Sequence, residues 1–462
     1  MPTDPSPTHL HERARLLRPA LPGALAASAW PFLACLLAAA ALQLWARPLL
    51  NDFVAKLLLD IGTNVILAVS LTMVNGFTGQ FSIGHAAFMA VGAYTAAAIV
   101  YYGSYRLWGD ALVHGGTLST MLAARDGPLV APGDLLFVAA LAAGGLAAAA
   151  CGYLVGLPSL RLRGDYLAIV TLGFGEIVRV LIQSQTTDTL YDAQAIRAAP
   201  WYTLPRHLGG ALGFSGLPFY SSLFWAWLVA LLTLVVAYRL KSSSYGRAFL
   251  SIREDEIAAE AMGVHTTRYK VRAFVLSAFF AGVAGGIFAH TVGVQLNAQE
   301  LGFQRSFDIL IMVVLGGLGS ISGAAIAAAM LTILPEALRK PGDLAQVWPW
   351  ALALLALGLA LAGVGRHRGG WARRLGVLAI ATGSAGLVLA LLALLALARG
   401  VDLTQYRMVL YALALILMMI LRPQGLLGIR EVWELRAPPR LAPRRNRAAG
   451  GESGTSGQEP TL

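Results

Sequence analysis

The sequence predicts an all-α polytopic membrane protein with about twelve apolar segments, one of them broken at a glycine-rich turn, and a short helix in its most charged loop. Two observations carry that prediction. Hydrophobic residues make up 57% of the chain and charged residues only 13%, with a mean hydropathy of +0.65, which excludes an ordinary soluble globule. The net charge of +11 is concentrated between the apolar runs. That is the pattern of basic cytoplasmic loops rather than of a nucleic-acid surface. Cys35 and Cys151 both fall in apolar runs and support neither a disulfide framework nor a metal site.

In order, residues 1–20 are polar and basic, with no small-residue cleavage site after a short apolar core; they read as an uncleaved cytoplasmic tail. Apolar runs follow at 27–45, 50–74, 84–102, 135–157, 165–183, 222–239, 272–292, 306–319, 322–338, 349–365, 375–398 and 406–421. A spanning helix needs about 20 residues, so 306–319 is short. Only Gly316-Gly317-Leu318-Gly319-Ser320 separates it from the next run. If the chain breaks there, both termini fall inside, and the inside carries more than twice as many Arg and Lys as the outside. If 306–338 were one crossing, Arg366 to Arg374 and the basic C-terminal tail would fall outside. The charge balance favours the break.

The resulting organisation is a tail (1–20), a membrane core (21–340) that includes a cytoplasmic loop (240–270), an extra apolar hairpin (341–405), a last span (406–430) and a disordered basic tail (431–462). Two longer loops, 103–133 and 184–221, fall outside. The second carries Trp201, Tyr202, Pro205, Pro218 and Tyr220, as expected at a membrane interface.

Arg247 to Lys270, the most charged stretch, predicts a helix. Ser251 suits the N-cap and Glu254 the reciprocal position of a capping box. Glu254, Asp255 and Glu256 favour the positive end of the helix dipole. Gly263 suits the stop. Leu250, Ile257, Ala261 and Val264 would form one apolar stripe. At about 12 residues, roughly 18 Å, this helix is too short and polar to cross a bilayer. It is either a solvated loop helix or one that docks, through Ser251, Arg253, Glu254, Asp255, Glu256, Glu260 and Gly263, into a partner outside the membrane.

Other stretches interrupt the apolar pattern. Gly76, Thr78, Gly79, Gln80, Ser82 and His85 lie where glycines and small polar groups separate two spans, which fits a substrate path or a tight inter-helix turn. Met73–Gly79 and Met312–Gly319 echo one another, as repeated broken helices do in transporters. Glu176 and Arg179 are three apart within a span and fit a neutralising pair or a substrate contact. Gly173 and Gly175 beside them suggest close helix packing. Glu176 reads as the only acid well inside a span, which leaves little for ion-coupled transport by this chain alone. No lysine follows a glycine, so there is no P-loop, and HExxH, CxxC and GxSxG are absent. Nothing suggests an enzyme.

Six stretches together carry a resemblance: GFTGQFSIGHAAFMAVGAY (76–94), LRLRGDYLAIVTLGFGEIVR (160–179), SIREDEIAAEAMGV (251–264), YKVRAFVLSAFFAGVAGGIFA (269–289), IMVVLGGLGSISGA (311–324) and LRPQGLLG (421–428). In this order the chain resembles the LivM-type permease subunits of branched-chain amino acid ABC importers. The resemblance implies a multi-pass bacterial inner-membrane protein that pairs with a LivH-type permease. It implies two cytoplasmic ATPase subunits, which bind the ATP and magnesium, and a periplasmic substrate-binding protein. This chain would bind no cofactor or metal, and 251–263 would be its coupling helix. Gly76 to His85, Glu176, Arg179, Gly316, Gly317 and Gly319 are its candidate path or structural residues. Urea or short amides are the alternative substrates within the architecture, and a self-sufficient secondary transporter is the alternative class. The chain departs from the family at 184–200, which lacks the usual TGG segment, and in the hairpin 341–405.

Overall fold

The computed structural model describes residues 21–119, 128–160, 166–291 and 295–339, together with the isolated positions Ile416, Gly425, Gly428 and Glu431. The N-terminal tail, the hairpin 341–405, the last span and the C-terminal tail otherwise lie outside the described residues.

The described chain is helical: α1 (Leu21–Ala41), α2 (Asp52–Leu71), α3 (His85–Leu107), α4 (Pro132–Ser159), α5 (Tyr166–Gln183), α6 (Ala193–Ala198), α7 (Leu223–Ser242), α8 (Ser244–Glu254), α9 (Glu256–Ala261), α10 (Thr266–Ala289), α11 (Phe303–Gly316) and α12 (Ile321–Arg339). Among the described residues, seven helices (α1 to α5, α7 and α10) are long and apolar enough to cross a membrane, α1 and α2 counted with the turns that extend them. The chain is a multi-pass membrane protein.

α3, α4 and α10 pack into the centre, and α2, α7 and α12 lie against one another beside them. Small residues set the central crossing. A Cβ on Gly92 would lie 2.2 Å from the Gly282 backbone, and one on Gly285 would lie 2.0 Å from the Met89 carbonyl oxygen. Lipid supplies no hydrophobic force between helices, so such close backbone approach is what holds them together. The close packing expected at Gly173 and Gly175 is not found. Nothing lies within 4 Å of a Cβ built on Gly173, and Gly175 makes one ordinary contact at 3.8 Å. α5 turns that face outward.

The break at the glycines is present. α11 ends at Gly316, Gly317 and Gly319 take φ of +107° and +98°, and α12 begins at Ile321. Those backbone angles favour glycine. α11 and α12 lie side by side, which a single kinked crossing would not give. With 14 residues, α11 spans about 21 Å, short of the ~30 Å hydrocarbon layer.

At the end of the bundle away from α8 and α9, the 184–221 segment is tied down by side chains of α3. Tyr101 donates to the Leu190 carbonyl at 3.1 Å and Arg106 to that of Ala199 at 2.5 Å. Phe214 and Leu296 exchange backbone bonds there. Trp201 and Tyr202 stay exposed on this segment.

Candidate functional site

The charged loop forms two short helices rather than one. Ser243 caps α8, accepting from the Gly246 amide at 3.3 Å. Ser251 lies inside α8, and its hydroxyl donates back to the Ala248 carbonyl at 2.9 Å. The cap expected of Ser251 belongs instead to Asp255. Its backbone is extended (φ −157°, ψ 111°), and its carboxylate accepts from the Ile257 and Ala258 amides at 2.9 and 3.0 Å. A carboxylate is favoured over a hydroxyl at the positive end of a helix, so the chain restarts there. The kink also resets the helical phase. Phe249 and Ile252 on α8 and Ala259 on α9 turn inward, while Ile257 and Met262 are 67% and 85% exposed. The expected stripe through Leu250, Ile257, Ala261 and Val264 is therefore not a buried face. The stop at Gly263 is as expected. Its φ is +85°, its amide reaches the Glu260 carbonyl at 2.9 Å, and the Val264 amide reaches that of Ala259 at 3.0 Å.

An ion pair fastens this loop to the bundle. Lys270 of α10 is buried and lies 2.6 Å from the Glu256 carboxylate. Removing the acid strands the ammonium, whereas removing the lysine leaves a carboxylate that is 30% exposed. We expect Glu256→Ala to cost roughly 2 kcal/mol, less than the ~3–5 of a fully buried pair, and Lys270→Met to cost less than that. Thermal unfolding of the purified chain checks the order.

Arg253, at the end of α8, connects the loop to both glycine-rich turns. Its guanidinium donates to the Gly76 carbonyl at 2.9 Å and approaches that of Leu318 at 3.5 Å. The turns themselves meet, since a Cβ on Gly76 would fall 2.7 Å from the Gly319 nitrogen. Gly79 lies against the Arg253 stem. Lys241, in the last turn of α7, donates to the Gly319 carbonyl at 2.9 Å and pairs with Glu431 at 2.6 Å. Glu431 in turn accepts from the Ile321 and Ser322 amides at 2.9 and 3.0 Å, capping α12. Gly425 and Gly428 abut Gly317. Burial opposes the charge of Glu431, but Lys241, Ser322 and the two amides outweigh it and hold the carboxyl below its usual range. This clamp contributes stability above the ordinary glutamate value of about 4.3, and that contribution is lost as pH falls through the lowered value.

The stretch from Gly76 to His85 is a turn stapled to itself. Asn75 and Ser82 exchange bonds, the Asn75 amide to the Ser82 carbonyl at 3.3 Å and the Ser82 amide to Asn75 at 3.2 Å. Thr78 donates to the Val74 carbonyl at 2.9 Å, and buried His85 lies 2.8 Å from the Ser70 hydroxyl. Gly76, Thr78 and Ser82 are buried, Gln80 is half-buried and Gly79 is exposed. Gly316 packs on Gly323. Glu176 and Arg179 stand apart from this junction on α5. Arg179 reaches Glu176 at 2.7 Å and Gln183 at 3.0 Å.

Lys241, Lys270 and Glu431 escape the sequence reading. Their one sequence-level signal is a charge at the edge of an apolar run. Among the described residues, no group of three or more His, Cys, Asp or Glu is placed to hold a metal ion.

Comparison with known proteins adds the lineage. Residues 53–357 match the family described as "Branched-chain amino acid transport system / permease component". The chain is 35% identical over 309 residues to the high-affinity branched-chain amino acid transport system permease protein LivM of Salmonella typhimurium, covering 63% of this chain and 65% of that one. It is 27% identical over 299 residues to the probable LivM of Methanocaldococcus jannaschii, covering 60% of this chain and 78% of that one. A shorter stretch of 116 residues, 24% of this chain and 34% of the other, is 30% identical to the autoinducer 2 import system permease protein LsrC of Shigella flexneri. No solved structure matches. Family and fold agree on a membrane permease component: the chain belongs to the branched-chain amino acid transport system permease family.

Proposed function

We propose that this chain is the LivM-type permease of an ATP-driven importer for branched-chain or related amino acids. It lies in a bacterial inner membrane with both termini cytoplasmic and forms the translocation path with a LivH-type permease. Two cytoplasmic ATPase subunits bind ATP and magnesium and drive it, and a periplasmic binding protein delivers the amino acid. The absence of a P-loop fits this division of labour.

The observation that carries the reading is the Arg253 link. α8 and α9 present exposed apolar side chains, Ile257 and Met262, away from the bundle, while Arg253 grips both glycine turns from the same loop. An ATPase groove that seats Ile257 and Met262 would pull, through Arg253, on the ends of α2 and α11. That is what a coupling helix has to do, because alternating access needs one movement shared by several spans.

The test is co-purification of the four-subunit complex. Gly263→Val forces a β-branched residue into a left-handed backbone and misdirects the chain beyond α9. Glu260→Lys reverses a charge on the exposed surface of α9. Both variants are expected to insert and to pair with the second permease, yet to retain less than about a tenth of the ATPase, a loss near 1.4 kcal/mol of docking energy. Full retention of ATPase and uptake in both would return α9 to a solvated loop helix.

A further inference from the structure

Ionisable side chains more than a turn inside a membrane helix mark the protected side of a bundle, because lipid cannot solvate them. The described spans share such residues unevenly. α1 has none, α4 has only Asp134 in its first turn, and α7 has only Arg239 and Lys241 in its last. α5 holds the Glu176–Arg179 pair, which neutralises itself. α2 carries Asp60 about two turns in, and on the helices packed against it α11 carries Arg305 in its first turn and Asp308 in its second, and α12 carries Glu336 in its last. Asp60 corrects the expectation that Glu176 is the only acid well inside a span. α2, α11 and α12 pack on one another, so these groups gather on one side. The outward surfaces of α1 and α4 show Trp30, Leu33, Leu146 and Leu154 instead.

The gathered groups interact. The Arg305 guanidinium donates to Asn64 at 2.7 Å, and the Asn64 amide donates to Thr332 at 2.8 Å, which orients Arg305 across three helices. Asp60 lies within electrostatic reach of Lys56, Arg305 and Glu336. Asp308 sits one turn beyond Arg305 and within its reach. The cluster is not sealed. Asp60, Arg305, Asp308 and Glu336 are half-buried, and Gln304, Phe307 and Ile333 are exposed beside them. It lies at the end opposite the Arg253 junction, since Arg305 begins α11 while Gly316 ends it.

We infer, resting on the permease reading above, that this cluster is where a free amino acid meets this chain, Arg305 receiving its carboxylate and Asp308, with Asp60, its ammonium. Every free amino acid carries both charges whatever its side chain. A path through low dielectric must replace the hydration of both, and opposite charges one turn apart on a single helix do so. A neutral amide or urea would need neither, so the cluster selects zwitterions. Oriented by Asn64, Arg305 can meet a carboxylate with its planar fork.

The experiment uses the complete transporter in proteoliposomes, with its binding protein, ATP and radiolabelled leucine. Wild-type uptake is the control. A wild-type complex that moves no amino acid overturns the function reading, and this inference with it. Arg305→Gln and Asp308→Asn are expected to leave the complex assembled and hydrolysing ATP while uptake falls at least about tenfold, the equivalent of one charge-assisted contact. Gln304→Cys, exposed beside the cluster and outside the proposed contacts, in a chain with Cys35 and Cys151 replaced by alanine, is expected to react with a membrane-impermeant thiol reagent more slowly when leucine is being transported. Uptake within twofold of wild type in both charge variants overturns the inference. So does a thiol that leucine does not protect. Loss of the assembled complex in both variants also overturns it, since the cluster would then be a helix-packing network.

Discussion

Arg253→Met is expected to leave the ATPase subunits bound and hydrolysing ATP while transport falls about tenfold or more. Methionine keeps an apolar stem against Gly79 and removes only the guanidinium bonds to the Gly76 and Leu318 carbonyls. A hydrogen bond to a charged group contributes about 1.5–3 kcal/mol, which is roughly ten- to a hundredfold in an equilibrium between two conformations. Arg253 links α8 to both turns through its guanidinium, so movement of the loop would reach α2 and α11 less completely without it. Arg253→Lys should fall between wild type and methionine, because an ammonium can hold one carbonyl but lacks the fork to span two turns. Uptake and ATP hydrolysis measured on the same proteoliposomes separate the possibilities. If both fall together, Arg253 acts in docking. If neither changes, the two turns move without it.

The parts of this fold that the sequence displays are those written in local pattern. The spans α1 to α5, α7 and α10 follow from apolar runs. The break before α12 follows from glycines and from the charge balance beyond it. What the sequence hides depends on contacts distant in the chain or on competition between adjacent signals. Ser251-x-x-Glu254 and Asp255 both satisfy the rules for a helix start, and only the folded loop selects Asp255. The start sets the phase: a helix begun at Ser251 puts Ile257 on an apolar stripe, whereas the helix begun at Asp255 turns it outward. The meeting of Gly76 with Gly319 joins residues far apart in sequence. Their similar flanking motifs hinted that they are alike but not that they touch. Glu431 follows a recognisable LRPQGLLG stretch, yet nothing local says that its carboxylate caps α12. Asp60 sits in a long apolar run, where one acid among so many apolar neighbours is easily absorbed into the span.

Gly92→Leu should be the most damaging single change in the bundle. A Cβ at that position falls 2.2 Å from both the α-carbon and the carbonyl oxygen of Gly282. Backbone atoms cannot rotate aside as a side chain would, so α3 and α10 must separate. α4 is caught in the same crossing, since a Cβ on Gly282 would fall 2.5 Å from Ala148 and 2.7 Å from the Gly144 oxygen. Overpacking a core typically costs about 1–3 kcal/mol when side chains can adjust. Here the clash is with backbone at the centre of the bundle, and the packing that substitutes for hydrophobic force in lipid is lost along all three helices. The cost should therefore exceed that range. The expected result is failure to recover monodisperse protein from detergent-solubilised membranes. Gly173→Leu is the matched control, with the same added volume in a span but nothing within 4 Å of its Cβ. It should be recovered at close to the wild-type yield. Equal yields for the two variants would mean that α3 and α10 do not cross at Gly92 and Gly282.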